Sequence, residues 1–385
     1  MKRATSNLLI AAAVVLVMCF TTLAVAQDRD EIRAIFDSAP KVATSVGGVQ
    51  IFAGPPKGFN PMTASGRELA QYGLPQRPDQ AADPKGFAVW QRGMLALKTR
   101  ASDVRATKYF SREFMPAKNQ PARTIEAGPS TINSTNWSGV AITNTNKSWN
   151  NKTSFTYVTS VFNVPAAQPP FGACDNGILG PFYELSWSGI DGFSILFGTS
   201  DVLQGGSYSY ADCGGNVQYL GWVEWYPSYS FTELMCGGIP CLVNAGDDFW
   251  VVTYGLAGTA TQSVYVEDIT SQWYGTMSLP YVTGPGLVGN TAEWIVERPY
   301  CCAENEPLPL ANYIYDFFTF SYAEDGANKV FYPGSTASSA FNITMLDDSD
   351  TQNISWVDAG TSGEQGKYSL TFGDEGCANS GGCTP

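Results

Sequence analysis

From about Thr131 onward, helical periodicity disappears and apolar residues recur at every second position. Phe155-Thr-Tyr-Val-Thr-Ser-Val-Phe162, Phe249-Trp-Val-Val-Thr-Tyr254, Ser263-Val-Tyr-Val266 and Asn312-Tyr-Ile-Tyr-Asp-Phe-Phe-Thr-Phe320 are rich in valine, threonine and aromatics. Glycine, asparagine, serine and proline punctuate them. Strand side chains alternate between faces, so this pattern reads as many short strands. Such strands bury their apolar faces by packing as a β-sandwich or jelly roll. One sandwich accommodates roughly 250 residues, and no repeat of fixed period divides the stretch. A single all-β domain over 131–385 is therefore expected.

The first 130 residues differ. Lys2 and Arg3 precede an apolar run from Leu8 to Leu23 and then Ala24-Val25-Ala26. This is the pattern of a signal peptide, so residues 1–26 are expected to be removed and the product secreted, with no membrane association afterwards. Over 27–130, Asp30–Phe36 and Asp103–Phe110 read as short helices, separated by a region that Pro55, Pro56, Pro61, Pro75, Pro78 and Pro84 break. Cys19 lies in the export segment, which leaves eight cysteines. An even number in an exported chain points to disulfides. Cys236/Cys241 and Cys377/Cys383 are near enough to close local loops, although spacing alone does not determine pairing. Cys301 and Cys302 are expected to bond elsewhere than to each other. There is no Cys-x-x-Cys pair and no histidine, so no zinc site, catalytic metal or cofactor is implied.

Charge divides the chain at the same place. Residues 27–130 carry 15 Lys+Arg against 10 Asp+Glu, whereas residues 131–385 carry 5 against 25. A basic leader thus precedes a strongly acidic domain. The two attract at neutral pH, and the attraction fades near pH 3–4 as carboxylates protonate. The leader is expected to cover the domain's cleft as an intramolecular inhibitor, with a maturation cut between about Arg112 and Asn133. An acidic surface excludes nucleic acid, whose phosphates need a basic patch. A monomer is expected.

The chain contains no histidine. That removes Ser-His and Cys-His nucleophiles and the His-Glu-x-x-His metal proteases. No pair of Asp-Thr/Ser-Gly loops is present either, and Gly198-Thr-Ser200 and Gly360-Thr-Ser362 read as loop tripeptides. Carboxylate chemistry remains. In Thr291-Ala-Glu-Trp-Ile-Val-Glu297, strand alternation puts Glu293, Ile295 and Glu297 on one face and Trp294 and Val296 on the other. In Trp222-Val-Glu-Trp-Tyr-Pro227, Glu224 shares a face with Trp222 and Tyr226. Desolvation among those rings raises a carboxyl pKa, which suits an acid or base working at low pH.

Seven short motifs then run in a telling order: Asn136-Trp-Ser-Gly139, Phe162-Asn-Val-Pro165, Trp187-Ser-Gly-Ile-Asp-Gly192, Leu203-Gln-Gly205, Glu224-Trp-Tyr-Pro227, Ala245-Gly-Asp247 and Ala292-Glu-Trp-Ile-Val-Glu297. Over about residues 133–325 the chain resembles the glutamic peptidases, also called eqolisins. The resemblance implies an acid-active endopeptidase on a concanavalin-like β-sandwich of two large antiparallel sheets, made as a proenzyme and acting on polypeptides. It implies a catalytic pair at Glu293 and Gln204, and a cleft lined by Trp137, Trp187, Asp191, Trp222 and Glu224. Glu293 would take a proton from the attacking water and Gln204 would stabilise the oxyanion. Leu69-Ala-Gln-Tyr-Gly-Leu-Pro-Gln-Arg-Pro78 resembles the leader of bacterial members. The chain departs from the family pattern at Gly205-Gly-Ser-Tyr208, where Thr-Gly and then an aspartate are usual, and at Arg298, where an acid is usual. Two other readings stay open. One is a glycoside hydrolase with Glu224 and Glu293 about 5–5.5 Å apart if retaining, and the other is a carbohydrate-binding or adhesion module without catalysis.

Overall fold

The computed structural model describes residues 31–118, 130–143, 152–193, 201–259, 261–280, 286–301, 306–334, 340–358 and 370–374. Residues 1–26, expected to direct export, the two Gly-Thr-Ser tripeptides and the Cys377/Cys383 pair lie outside these residues.

The leader is structured. Helix α1 covers 31–38. Strands β1 (Lys41–Ala43) and β2 (Gln50–Phe52) follow, then helices α2 (Gly66–Gln71) and α3 (Pro84–Ala96). Strands β3 (Thr99–Arg100), β4 (Asp103–Ala106) and β5 (Tyr109–Phe110) complete it. The prolines do not prevent α2 and α3. Pro84 occupies the first turn of α3, where its missing N–H costs nothing, and Asp83 caps that turn by accepting from Gly86 N at 2.8 Å. A capping box of Ser65 and Glu68 starts α2.

The helix expected over Asp103–Phe110 is not formed. The segment is extended, and β4 pairs antiparallel with Met235–Thr232. Pairing at this edge sends Val104 into the apolar core, a gain that outweighs local helical preference.

The acidic domain opens with β6 (Ser130–Ser134), β7 (Trp137–Thr143), β8 (Phe155–Asn163), β9 (Phe182–Ile190), β10 (Val202–Ala211) and β11 (Val217–Tyr226). It continues with β12 (Tyr229–Cys236), β13 (Ile239–Pro240), β14 (Asp248–Tyr254), β15 (Thr261–Asp268), β16 (Trp273–Pro280), β17 (Thr291–Glu297) and β18 (Tyr300–Cys301). The last strands are β19 (Glu306–Pro307), β20 (Tyr315–Asp325), β21 (Val330–Phe331), β22 (Ala340–Leu346), β23 (Asn353–Asp358) and β24 (Leu370–Asp374).

Two antiparallel layers result. The first runs β12-β11-β10-β9-β17-β7-β22. The second runs β16-β15-β14-β8-β20-β24. Strand β23 pairs with both β22 and β24, so the layers are continuous on that side and the sandwich is one sheet folded over itself. Val140, Leu203, Val223 and Trp294 of the first layer meet Val158, Phe162, Val251 and Val264 of the second in the apolar core between them. Disulfides join Cys174 to Cys213 and Cys236 to Cys241, and Cys301 is also disulfide-bonded.

The leader wraps both layers. Val49, Ile51, Ala101 and Val104 join the core between the layers, with β2 on the β16 edge and β4 on the β12 edge. Trp90 and Met94 of α3 pack with Trp250, Tyr265 and Phe320 on the outside of the second layer. Residues 107–118 then cross the outside of the first layer, the face that carries Trp137, Trp187, Trp222 and Ile295.

Candidate active site

Strand register brings the expected pair together. Gln204 of β10 and Glu293 of β17 both lie opposite Gly189 of β9, one on each side. Residues directly opposite each other share a face, so the carboxamide and the carboxyl rise from the same face, two strands or roughly 10 Å apart at the backbone. Gly189 leaves open the space between them. A Cβ there would lie 2.7 Å from the Leu203 carbonyl oxygen and 3.0 Å from Gln204 Cβ. One row further along, Gly206 lies opposite both Trp222 and Trp187, so the groove has a glycine floor and indole walls. Gly189→Ala is expected to lower kcat/KM at least about tenfold, because it fills the gap and pushes on a backbone carbonyl. Peptide hydrolysis by the folded variant checks this, and unchanged kinetics would contradict it.

Glu293 is fully buried, and neither of its oxygens completes a hydrogen bond among the described residues. Burial therefore holds its carboxyl well above the usual range, opposed only by the Thr291 hydroxyl and the Phe193 amide. Gln204 Nε2 donates to Glu224 Oε2 at 2.8 Å and to Ser111 Oγ at 2.7 Å. Glu224 thereby orients the carboxamide. Its own carboxyl is pushed up to about 8 by burial, an effect moderated by the bonds from Ser111 and Gln204. As alternation predicts, Glu224 shares its face with Trp222 and Tyr226, and Glu293 shares its own with Ile295 and Glu297.

The remaining expected residues divide by role. Trp137 and Trp187 meet edge to face at 4.9 Å, and Trp222 stacks on Phe231 at 4.8 Å. These three indoles line the groove. Asp191, by contrast, is turned into the loop that feeds β17, where Oδ2 accepts from Val288 N and Gly289 N and Oδ1 accepts from Asn290 N. It fixes where β17 begins, and with that the height of Glu293.

Three participants had no chemistry assigned from the sequence. Glu297, given no role above, accepts from Trp187 Nε1 at 2.8 Å and from the Arg112 amide at 3.2 Å. Asn136 Oδ1 accepts from Met115 N and thereby ties the leader to the start of β7. Ser111 donates its hydroxyl to Glu224 Oε2 at 2.6 Å while accepting from Gln204. Nothing in Phe110-Ser-Arg-Glu-Phe114 marks Ser111 as special, because its position follows from the path of the leader.

The glycosidase alternative is not supported by this geometry. Glu224, Gln204, Gly189 and Glu293 occupy four adjacent strands in one row, which separates the two glutamates by roughly 14 Å at the backbone. Gln204 stands between them and bonds Glu224, so the two carboxyls do not form a facing pair across one bond.

A carboxyl and a carboxamide facing each other across a glycine floor, in a chain without histidine, fit a hydrolase that works through an activated water. The profile of the peptidase A4 family matches residues 135–363, more than half of the chain. The chain belongs to that family, the eqolisins, and is a glutamic endopeptidase. No curated protein matches it significantly. Among solved structures, scytalido-glutamic peptidase with a transition state analogue inhibitor is similar at 20% identity and a TM-score of 0.47, over 62% of this chain and 98% of that one. SCP-B, an eqolisin in complex with the tripeptide Ala-Ile-His, is similar at 18% identity and a TM-score of 0.45, over 62% and 98%. The aspergilloglutamic peptidase from Aspergillus niger is similar at 21% identity and a TM-score of 0.40, over 50% and 99%.

Proposed function

We propose that the protein is a secreted proenzyme whose cleft is closed by residues 107–118, and that once this segment leaves, Glu293 and Gln204 hydrolyse peptide bonds of polypeptides in acid. The observation that carries this is the single row in which Gln204 and Glu293 flank Gly189. A substrate carbonyl laid on the glycine floor has an amide donor on one side and a carboxylate on the other. Ionised Glu293 takes a proton from water as the water oxygen bonds to the carbonyl carbon. The resulting oxyanion accepts from Gln204 Nε2 in the place that Ser111 Oγ holds. Glu293 then returns the proton to the amide nitrogen as the carbon–nitrogen bond breaks. Glu224 keeps the carboxamide aimed, and the surrounding indoles exclude water.

The leader supports the proenzyme reading in two ways. Ser111 consumes the donor of Gln204, and burial keeps Glu293 protonated and unfit as a base. Charge contributes at Arg105 with Glu233 and at Arg92 with Asp248, the latter at 2.6 Å. Peptide release from a denatured protein at pH 3–4 tests the reading, with intact chain compared to chain cut after acid incubation. Release is expected only after the cut. Equal release from both would refute closure by the leader, and no release from either would refute the catalytic assignment.

A further inference from the structure

We propose that Tyr183, Tyr208 and Phe231 form a subsite for an aromatic side chain of the substrate, with tyrosine favoured over phenylalanine. The subsite lies two residues N-terminal to the residue seated against Gln204. This rests on the peptidase reading above and specifies what that cleft selects.

The leader marks the place. Tyr109 lies two residues before Ser111, and its ring sits 5.3 Å from that of Tyr183 and is stacked 5.9 Å from that of Tyr208. Phe231 closes the back of the pocket, edge-on to Tyr208 at 5.6 Å. Phe110, between Tyr109 and Ser111, points elsewhere and stacks on Tyr226 and Tyr300. Alternation of this kind is that of an extended chain, in which residues i and i+2 share a face about 7 Å apart. A substrate crossing the groove in the leader's direction therefore presents the side chain two residues upstream to this pocket.

Chemistry sets the preference. Tyr183, Tyr208 and Phe231 are almost wholly buried with the leader in place. Withdrawal of Tyr109 wets apolar rings that a substrate ring can cover again, and offset or edge contacts add to that burial. The Tyr109 and Tyr183 hydroxyls lie 3.3 Å apart, an interaction that phenylalanine cannot reproduce. A cavity of about 270 Å³ adjoins the pocket, with Arg105, Gln218 and Glu233 among its lining residues, and leaves room for a ring to enter.

The test uses the acid-cut protein. Cleavage sites in a mixture of denatured proteins are mapped by mass spectrometry, and kcat/KM is then measured on matched peptides that carry Tyr, Phe or Ala at the mapped position. Since the residue against Gln204 contributes one side of the scissile bond, aromatics are expected at the second or third position N-terminal to the cut. Tyr peptides should exceed Ala peptides by about ten- to a hundredfold. Tyr208→Ala should bring that ratio close to one, Tyr208→Phe should preserve it, and Tyr183→Phe should equalise Tyr and Phe peptides. Cleavage without aromatic enrichment at either position would overturn the subsite and leave the peptidase reading intact, as would an unchanged ratio in Tyr208→Ala. Failure to cleave any peptide would overturn both.

Discussion

Replacing Glu293 with glutamine is expected to lower kcat at pH 3–4 by about a thousandfold or more, with the fold retained. Glutamine matches glutamate in size and fits the same buried position, so the change removes a proton acceptor and little else. General acid–base assistance contributes about 10²–10⁴-fold, and in the proposed mechanism one carboxyl serves both halves of the reaction. No second base flanks Glu293 in the row, since Gly189 and Ala141 are its neighbours, and Glu224, further along, is bound to the Gln204 carboxamide. Gln204→Ala should cost less, about 10²–10³-fold, the usual loss for one oxyanion donor. The two losses should not add, because the water and the oxyanion belong to one transition state. Peptide release by each purified, acid-cut variant decides this. Full activity in Glu293→Gln would end the carboxylate mechanism.

The second large expected effect is on stability. The protein should be most stable near pH 4 and should lose stability steadily as the pH rises toward 8. Five buried acids set this window. Burial pushes Glu224, Glu267 and Asp268 up to about 8, and Asp201 and Asp316 up to about 7. An acid raised in the folded state binds its proton more tightly there than in the unfolded chain. Its contribution is therefore complete below the unfolded value near 4 and is lost as the pH climbs toward the folded value. Each such group costs roughly 1 kcal/mol per pH unit across that interval. Between the layers, the Ser186 hydroxyl bridges Glu184 and Asp316, and that pair accommodates one negative charge far better than two. Domains rest on only about 5–15 kcal/mol, so the loss is expected to be a sizeable part of the total at neutral to alkaline pH. Denaturant unfolding from pH 3.5 to 8 measures this, and stability that is flat or rising would contradict it.

Much of the site was legible in the sequence because strand alternation is a strict rule. Glu293 with Glu297 and Glu224 with Trp222 follow from period two alone, and the ordered motifs add Gln204. What alternation cannot supply is which strands become neighbours. That Gly189 separates Gln204 from Glu293 depends on β9 lying between β10 and β17, a long-range pairing with no local signal. Asp191 shows the same limit: its motif is visible, but its engagement with residues 288–290 belongs to the tertiary structure. The leader was least legible. Asp103–Phe110 has a helical pattern and becomes strand because an open edge at β12 and a vacancy for Val104 await it. The cysteines were readable only as candidates, and although Cys236–Cys241 formed as its spacing allowed, the partner of Cys174 lay 39 residues away.

If the leader is cut away as proposed, the placement of Val49, Ile51, Ala101 and Val104 inside the sandwich bears on how long the trimmed enzyme endures. These side chains fill part of the core between the two layers, and a leader that is cut away takes them with it. A trimmed chain that opens in acid lacks that part of its core, so opening becomes a one-way event. Its working life is then governed by the height of the unfolding barrier rather than by an equilibrium between folded and unfolded chains.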